Sequence, residues 1–208
     1  MFIITFHRRP WAVSFYDRLA RFREIINEDR VAVQGPEHRR NEDVLIIRIR
    51  RRCLIEDGMR LIEKSGSAIR KRIVVKYVNE FNEEEVGIDS GGLFKDFWTD
   101  LSSQVFNSSY GLFSATTSQC LYPSSAALNL YGERELERLF HFLGLVLGKA
   151  IYENITVQPQ FAHFFLSFFT KYDFTALIDD LITLDIELYK NLMFLKHYEV
   201  NLLSFILV

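Results

Sequence analysis

The fold of this chain is decided by one stretch, Glu85-Val86-Gly87-Ile88-Asp89-Ser90-Gly91-Gly92-Leu93-Phe94-Lys95-Asp96-Phe97. Its glycines can take backbone conformations that are closed to other residues, which suits a tight turn. Asp89 or Ser90 is well placed to accept hydrogen bonds from the free N–H groups at the start of a helix. The stretch therefore predicts a turn followed by a helix over residues 92–106.

Glycines before a helix also build phosphate sites, because the free N–H groups face the anion. Gly87 and Gly92 are separated by four residues, as in a P-loop. The Lys-Ser/Thr pair that a P-loop requires is replaced by Leu93-Phe94, and Lys95 comes one turn too late to hold a phosphate. We therefore favour a structural turn over a nucleotide site, and we expect no cofactor.

Two further motifs follow in order along the chain. They are Leu121-Tyr122-Pro123-Ser124 and Phe142-Leu143-Gly144-Leu145-Val146-Leu147-Gly148-Lys149-Ala150-Ile151-Tyr152-Glu153. Together with the first stretch they resemble the N-terminal lobe of HECT-type ubiquitin ligases. The resemblance is nearest to the branch in which Pro-x-x-Val-x-Phe-x-x-Arg precedes the lobe, a pattern that runs here from Pro10 to Arg18.

The resemblance implies an α+β fold that is mainly helical, with a few short strands, and that corresponds to the larger subdomain of that lobe. It implies an upstream segment over residues 1–9, a partial HECT domain over 10–199 and a divergent apolar tail over 200–208. In the family, a smaller subdomain docks the ubiquitin-conjugating enzyme (E2), and a separate lobe carries the acceptor cysteine. Because the pattern breaks after Glu199, we expect both to be missing from this chain.

Two functions fit these observations. The first is part of an E3 ubiquitin ligase, which in complete form accepts ubiquitin from an E2 on a cysteine and passes it to a substrate lysine. The second is a non-catalytic module that binds ubiquitin or another protein partner. Without the acceptor cysteine we expect the chain alone to be inactive and to contain no catalytic residue.

One family site falls within the chain. Some HECT N-terminal lobes hold a second ubiquitin non-covalently around a Tyr-Gly-Leu-Phe segment, which is Tyr110-Gly111-Leu112-Phe113 here. The resemblance implies Tyr110, Leu112 and Phe113 as ubiquitin contacts, because an exposed aromatic side chain beside apolar residues suits a protein surface. Leu112 and Phe113 could equally begin a core strand.

Composition and charge narrow the choice of partners. The chain has 208 residues, 49% of them hydrophobic, and a formal net charge of -2, which describes a globular protein without a surface built mainly for nucleic acid. Basic residues cluster at Arg39-Arg40, at 48–52 and at 70–72, but no stacking aromatics are interleaved. Arg48 and Arg50 alternate with isoleucines, which predicts a strand with one face in water. We expect protein partners and no nucleic acid.

Cysteine and histidine usage argues against thiol and metal chemistry. Cys53 and Cys120 form no disulfide framework, and the five histidines show no metal-ligand spacing. Arg51 and Arg52 would favour a thiolate at Cys53, but in the family this position is a strand-to-helix connection. Cys120 lies in a variable polar loop. The most apolar window, 139–147, is too short to cross a membrane. We expect a reducing compartment, cytoplasmic and/or nuclear.

Periodicity supplies the remaining elements. An amphipathic helix is predicted after Pro10, strands over 44–50 and 73–78, and a short helix over 55–64. Further helices are predicted from three apolar stripes: Leu136, Leu139, Phe140, Leu143, Leu147 and Ile151; Phe161, Phe164, Phe165 and Phe168; and Leu184, Leu188, Leu192 and Leu195.

Gly144 and Gly148 stand one turn apart on the first of these helices. We expect them to form a groove in the core for a neighbouring helix, with the Phe161 to Phe168 segment as the neighbour. Lys149 is expected to reach solvent or to cap the helix rather than to act as a catalytic amine.

Overall fold

The structure is a computed structural model that describes residues 12–35, 44–85, 92–170 and 177–198. Its backbone divides into two compact units, one formed by Met1–Val105 and Arg138–Val157 and the other by Phe106–Glu137 and Gln158–Val208. Helices predominate in the described ranges and the strands are short. The predicted fold class, α+β and mainly helical, is confirmed.

The elements follow one another along the described chain as α1 (Phe15–Gln34), β1 (Val44–Arg50), α2 (Leu54–Ser65), β2 (Arg72–Val78), α3 (Gly92–Val105), β3 (Phe113–Ala115), β4 (Leu121–Pro123), α4 (Ala127–Tyr131), α5 (Glu133–Tyr152), α6 (His163–Ser167), α7 (Leu177–Leu184) and α8 (Ile186–His197). Short 3-10 turns occupy Arg51–Cys53, Gly66–Arg70, Ser108–Tyr110 and Phe168–Thr170.

The first unit is built on a parallel pair of strands. β1 and β2 pair so that Ile47 lies opposite Val75 and Ile49 opposite Tyr77, and all four side chains are buried. Between the strands the chain crosses over through α2, as parallel pairing requires. The other face of β1 carries Arg48, which is exposed, so the predicted alternation is confirmed.

Helix α3 supplies the centre of this core. Phe97, Trp98 and Leu101 have no exposed surface, and Trp98 Nε1 donates a hydrogen bond to the Val146 carbonyl at 3.0 Å. Gly58 of α2 faces this core, and a Cβ there would lie in ordinary van der Waals contact with Leu101 and Phe97. Burying a side chain of this size stabilises the fold by about 1.5–3 kcal/mol.

Helix α1 forms as predicted, but its apolar stripe is not covered. Ser14 caps it, accepting a hydrogen bond from the Asp17 backbone N–H at 3.2 Å, and Pro10 lies outside the described residues. No residue of α1 is buried, and Phe22 keeps 47% of its surface exposed. The prediction of an amphipathic helix is therefore confirmed for the backbone and wrong for the burial that such a stripe implies.

The buried face of α5 shares Leu143 with the predicted stripe but otherwise follows a different line. Phe142, Val146 and Ala150 are buried, whereas Ile151 is 53% exposed. Apolar residues surround this helix on most sides, so a three-to-four spacing can be drawn along more than one line. Gly144 and Gly148 are exposed, and a Cβ at either would meet no other described atom within 4 Å. The described residues of this unit place no helix against these glycines. Because the Phe161 to Phe168 segment belongs to the other unit, the groove predicted for it stays a prediction.

The second unit is organised around a short hairpin and an aromatic cluster. β3 and β4 are antiparallel, and the backbone of Leu121 also bonds to residues 160 and 162. The side chains of Phe106, Phe113 and Phe161 meet with ring centroids 5.7 to 5.9 Å apart. Phe161 therefore serves this cluster, and α6 begins only at His163.

The final described residues form two helices where one leucine stripe predicted a single helix. α7 ends at Leu184, and the Asp185 carboxylate starts α8 by accepting hydrogen bonds from Glu187 and Leu188 N–H at 2.9 and 3.0 Å. None of the helices in the described ranges combines the length and the apolar character that a membrane span requires.

Candidate functional site

The predicted ubiquitin contacts lie on a turn of the second unit. Tyr110 ends the 3-10 turn Ser108–Tyr110, which Asn107 caps by accepting a hydrogen bond from Ser109 N–H at 2.9 Å. Gly111 follows with φ of 71°, a left-handed conformation that favours glycine. Tyr131 Oη donates to the Tyr110 carbonyl at 2.5 Å and fixes the turn from α4.

The three predicted residues are not equivalent. Tyr110 is 41% exposed, whereas Leu112 and Phe113 are 3% and 4% exposed. Leu112 and Phe113 lie in the core because β3 begins here and Ser124 N–H donates to the Leu112 carbonyl at 2.9 Å. Leu112 and Phe113 are therefore core residues, as the alternative of a core strand predicted. Ubiquitin contact at Tyr110, Leu112 and Phe113 stays a prediction, and of the three Tyr110 is the one that offers surface.

Next to Tyr110 lies an exposed leucine, which the sequence pattern did not indicate. Leu130 of α4 is largely exposed, and its Cδ2 lies 2.9 Å from where a Cβ on Gly111 would stand. We call Tyr110 and Leu130 the Tyr110 patch. The Tyr110 patch offers an aromatic and an aliphatic side chain, and the hydrogen bonds at the turn hold its backbone in place. Such a surface suits non-covalent contact with another protein rather than covalent catalysis.

Neither thiol has a hydrogen-bonded base among the described residues, although the Arg50 guanidinium lies near Cys53. Cys53 and Cys120 are free and partly buried. The hydrogen bonds described for Cys120 Sγ go only to Ser118, at 3.7 Å from its hydroxyl and 4.0 Å to its carbonyl. An activated cysteine requires a neighbouring base or cation, and the described residues show no histidine bonded to either thiol.

The lysine considered for a phosphate lies in a cleft of about 340 Å³ beside α3. Lys95 shares this cleft with Arg51, Asp96 and Asp100. Two carboxylates balance the two cations, so the cleft has no excess of positive charge that would attract an anion. The glycines and caps at positions 86–91, on which the turn prediction rests, lie outside the described residues. Within the described ranges no three His, Cys, Asp or Glu groups meet in a way that could hold a metal ion.

Lys149 is buried, which contradicts its predicted exposure. Its Nζ donates to Glu153 Oε1 at 2.5 Å and to the Lys71 carbonyl at 2.9 Å, and the side chain is nearly inaccessible. Burial lowers the pKa of Lys149, and the Glu153 carboxylate opposes that shift. Gln34 of α1 donates to the same Glu153 oxygen at 3.0 Å. The group is therefore part of a structural network and not a surface cation.

A second buried charge connects β1 to α2. Asp57 accepts hydrogen bonds from Arg50 Nε at 2.9 Å, from Arg50 N–H at 3.0 Å and from Arg60 Nη2 at 2.9 Å. The side-chain hydrogen bond from Arg50 lowers the pKa of Asp57. The alternation with isoleucines predicts for Arg50 only a place on the solvated face of the strand. The seven-residue separation from Asp57 gave no local signal, because the pair forms only when the chain turns from strand to helix.

Comparison with known proteins identifies the class. The sequence model of the HECT-domain (ubiquitin-transferase) family matches residues 99–206, which is more than half of the chain. This range holds the Tyr110 patch and all of α5. The chain therefore belongs to the HECT-type E3 ubiquitin ligase family.

Curated relatives carry the same description. The chain is 43% identical over 154 residues to E3 ubiquitin-protein ligase UPL6 of Arabidopsis thaliana, covering 73% of this chain and 14% of that protein. It is 35% identical over 196 residues to human Ubiquitin-protein ligase E3B, covering 91% and 18%, and 35% identical over 148 residues to E3 ubiquitin-protein ligase HUL5 of Saccharomyces cerevisiae, covering 70% and 16%. The chain thus spans less than a fifth of the length of these relatives.

Proposed function

We propose that this chain is part of an E3 ubiquitin ligase that takes ubiquitin from an E2 and passes it to a substrate lysine. The family match over residues 99–206 carries the proposal. In such a reaction an acceptor thiolate attacks the E2 thioester carbonyl, the E2 thiolate leaves, and a substrate amine then displaces the acceptor thiolate to form an amide. E2, ubiquitin and protein substrates are the partners, in a cytoplasmic and/or nuclear compartment.

We assign residues 10–199 the role of a structural scaffold that contains no catalytic residue. The buried α3 core and the Asp57 and Lys149 networks fix the elements, and within the described ranges neither thiol is hydrogen-bonded to a histidine. We expect the 208-residue chain alone, incubated with activating enzyme, charged E2 and ubiquitin, to form no reductant-sensitive adduct. An adduct that disappears in Cys53→Ser or Cys120→Ser would overturn this assignment.

A transplant tests whether the scaffold serves ubiquitin transfer. Residues 44–198 replace the aligned residues of human Ubiquitin-protein ligase E3B, and chain formation on a substrate is followed. We expect transfer within about tenfold of the parent, since a loss of that size corresponds to about 1.4 kcal/mol of transition-state stabilisation. A chimera that folds but transfers no ubiquitin would contradict the proposal, and a Trp98→Ala chimera shows how far transfer falls when the core is destabilised.

The second candidate function is non-covalent ubiquitin binding at the Tyr110 patch. What favours it is an exposed tyrosine on a turn that Asn107, Gly111 and Tyr131 hold in place. In a titration of isotopically labelled ubiquitin, Tyr110→Ala should weaken binding at least tenfold if this residue is a hot spot. Tyr16→Ala removes an exposed tyrosine from α1 in the other unit and is the matched control. Equal binding by both variants would refute the patch.

A further inference from the structure

A groove in the first unit lies between α1 and the residues that follow α5. Its volume is about 440 Å³. Phe22 and Ile26 form the α1 side, and Ile151 and Ile155 form the opposite side. Phe22 and Ile151 each keep about half of their surface exposed, so the apolar floor is open to solvent across the described residues.

The charges at this groove have one sign. Arg23 and Arg30 line it, and its lining includes no carboxylate. The described residues give neither arginine an ion pair, and Arg30 Nη2 contacts only the neutral Asn27 amide oxygen, at 3.3 Å. Arg18 lies one turn before Phe22, and its buried Nε also has no hydrogen-bond partner in the described ranges.

The nearest carboxylates are already engaged elsewhere. Asp29 accepts from Arg70 Nη1 at 2.8 Å and from Tyr152 Oη at 3.0 Å. Glu153 accepts from Lys149 Nζ at 2.5 Å and from Gln34. The positive charge of Arg23 and Arg30 is therefore not neutralised from within the groove's described surroundings, and it faces any ligand that enters.

We propose that this groove docks an acidic amphipathic helix of a protein partner. Arg23 and Arg30 are seven residues apart on α1, so their positions lie about 10.5 Å apart along the helix axis. Carboxylates two turns apart on a partner helix match that spacing, and apolar side chains between them would enter over Phe22, Ile26 and Ile155. The inference goes beyond ubiquitin transfer and does not depend on it.

The first residues of the chain are poor ligands for this groove on the ground of charge, because they do not complement its arginines. Residues 1–11 read Met-Phe-Ile-Ile-Thr-Phe-His-Arg-Arg-Pro-Trp, with two arginines and no carboxylate. They would bring like charge to Arg23 and Arg30, which disfavours docking. An acidic partner supplies the complementary charge that these residues lack.

The probe for this proposal is a fluorescein-labelled helical peptide of about 15 residues, the length at which an isolated helix becomes stable. It carries Leu at i, i+3, i+4 and i+7 and Glu on both flanks, and a second peptide carries Lys in place of every Glu. Fluorescence anisotropy with the 208-residue chain should show saturable binding of the Glu peptide and at least tenfold weaker binding of the Lys peptide.

The variant Arg23→Glu with Arg30→Glu should weaken the Glu peptide about tenfold or more, since each surface pair contributes a few-fold and reversal makes it repulsive. Arg21→Glu with Arg52→Glu changes the net charge equally at exposed sites outside the groove and should leave affinity within about twofold. Equal loss in both double variants would show that binding follows net charge alone and would overturn the proposal.

Methyl NMR on the unmutated chain keeps the test valid if the variants misfold. Addition of the Glu peptide should shift the Ile26, Ile151 and Ile155 methyl signals and leave Ile46, which is exposed on β1, unchanged. Binding without these shifts, or no binding of the Glu peptide at all, would refute the groove as the docking site.

Discussion

Helices α1 and α3 lie in the same unit and are held in opposite ways. In α3, Phe97, Trp98 and Leu101 are completely buried, so the hydrophobic effect fixes the helix. In α1 no residue is buried, and the helix is attached at its C-terminal end through polar side chains. Packing sets the position of one helix, and hydrogen bonds and ion pairs set that of the other.

Within the described ranges, the hydrogen bonds that attach α1 to the rest of its unit are made by two of its residues. Asp29 meets Arg70 and Tyr152, and Gln34 donates to the Arg70 carbonyl at 2.9 Å and to Glu153. Burial and the hydrogen bond to Asp29 raise the pKa of Tyr152 to about 12, so this contact persists at ordinary pH. Each such bond contributes about 0.5–1.5 kcal/mol, far less than an α3 aromatic residue. Helix α1 is therefore freer than α3 to meet a partner.

The largest effect is expected at Trp98. Trp98→Ala leaves a cavity at the centre of the core and removes the bond to Val146, which should lower the free energy of unfolding by about 3–5 kcal/mol. Phe22→Ala on α1 is the counterpart and should cost under about 1 kcal/mol, because that ring is half exposed. Urea unfolding measures both. Equal losses of unfolding free energy in the two variants would show that α1 and α3 are stabilised by packing to the same extent.

Lys149→Met should come next, with a loss of about 3 kcal/mol, because it strands the Glu153 carboxylate and the Lys71 carbonyl. Replacing Lys149 and Glu153 together with Met should cost less than the sum of the single changes. Thermal unfolding of the three variants forms a double-mutant cycle. Strict additivity would show that the pair does not interact.

Lys149 also makes the free energy of unfolding depend on pH. Since burial lowers its pKa, the unfolded chain holds this proton more tightly than the folded chain between the lowered pKa and the ordinary value of 10.5. The free energy of unfolding attributable to Lys149 therefore rises with pH across that window. We expect the difference between the natural chain and Lys149→Met to widen there, and a flat difference would contradict the assignment.

Asp57→Asn should lower the free energy of unfolding by about 2 kcal/mol at pH 7, because charged hydrogen bonds to Arg50 and Arg60 are replaced by weaker ones. The pKa of Asp57 is lowered in the folded chain, so its contribution is present above the ordinary value of 3.8 and disappears as pH falls toward the folded value. Unfolding curves of the two proteins should converge in acid.

Gln34→Ala should have the smallest effect, a loss of about 1 kcal/mol for two hydrogen bonds near the surface. The loss should be accompanied by faster hydrogen exchange in α1 and by unchanged exchange in α3. Gln104→Ala, at an exposed position of α3, serves as a control that leaves both helices as they are. Faster exchange in α3 after Gln34→Ala would show that the two helices open together.

The sequence predicted those helices and strands whose hydrophobic pattern is compatible with only one type of element. Strands β1 and β2 and helices α2 and α3 were found within one or two residues, because alternation and apolar spacing agree there. The burial of α1 was overestimated, since a stripe does not show whether another element covers it. The buried face of α5 was misplaced because apolar residues occupy most of its circumference.

The site was predicted as a segment but not as a surface. Tyr110, Leu112 and Phe113 are neighbours in sequence, yet only the fold decides that one faces outward and two face the core. Leu130 reaches the same place from α4, and no local pattern joins it to Tyr110. A signal for Lys149 was available, because Glu153 stands four residues later on the same helix, within reach of an ion pair.

Native-state hydrogen exchange, resolved by residue, tests the contrast between the two helices most directly. We predict that backbone amides of Phe97 to Leu101 exchange only through global unfolding, whereas amides of Phe22 to Ile26 exchange through local opening at least about a hundredfold faster. Equal protection of the two helices would mean that α1 is seated as firmly as the core. That result would contradict the contrast between the packed helix α3 and the polar attachment of α1.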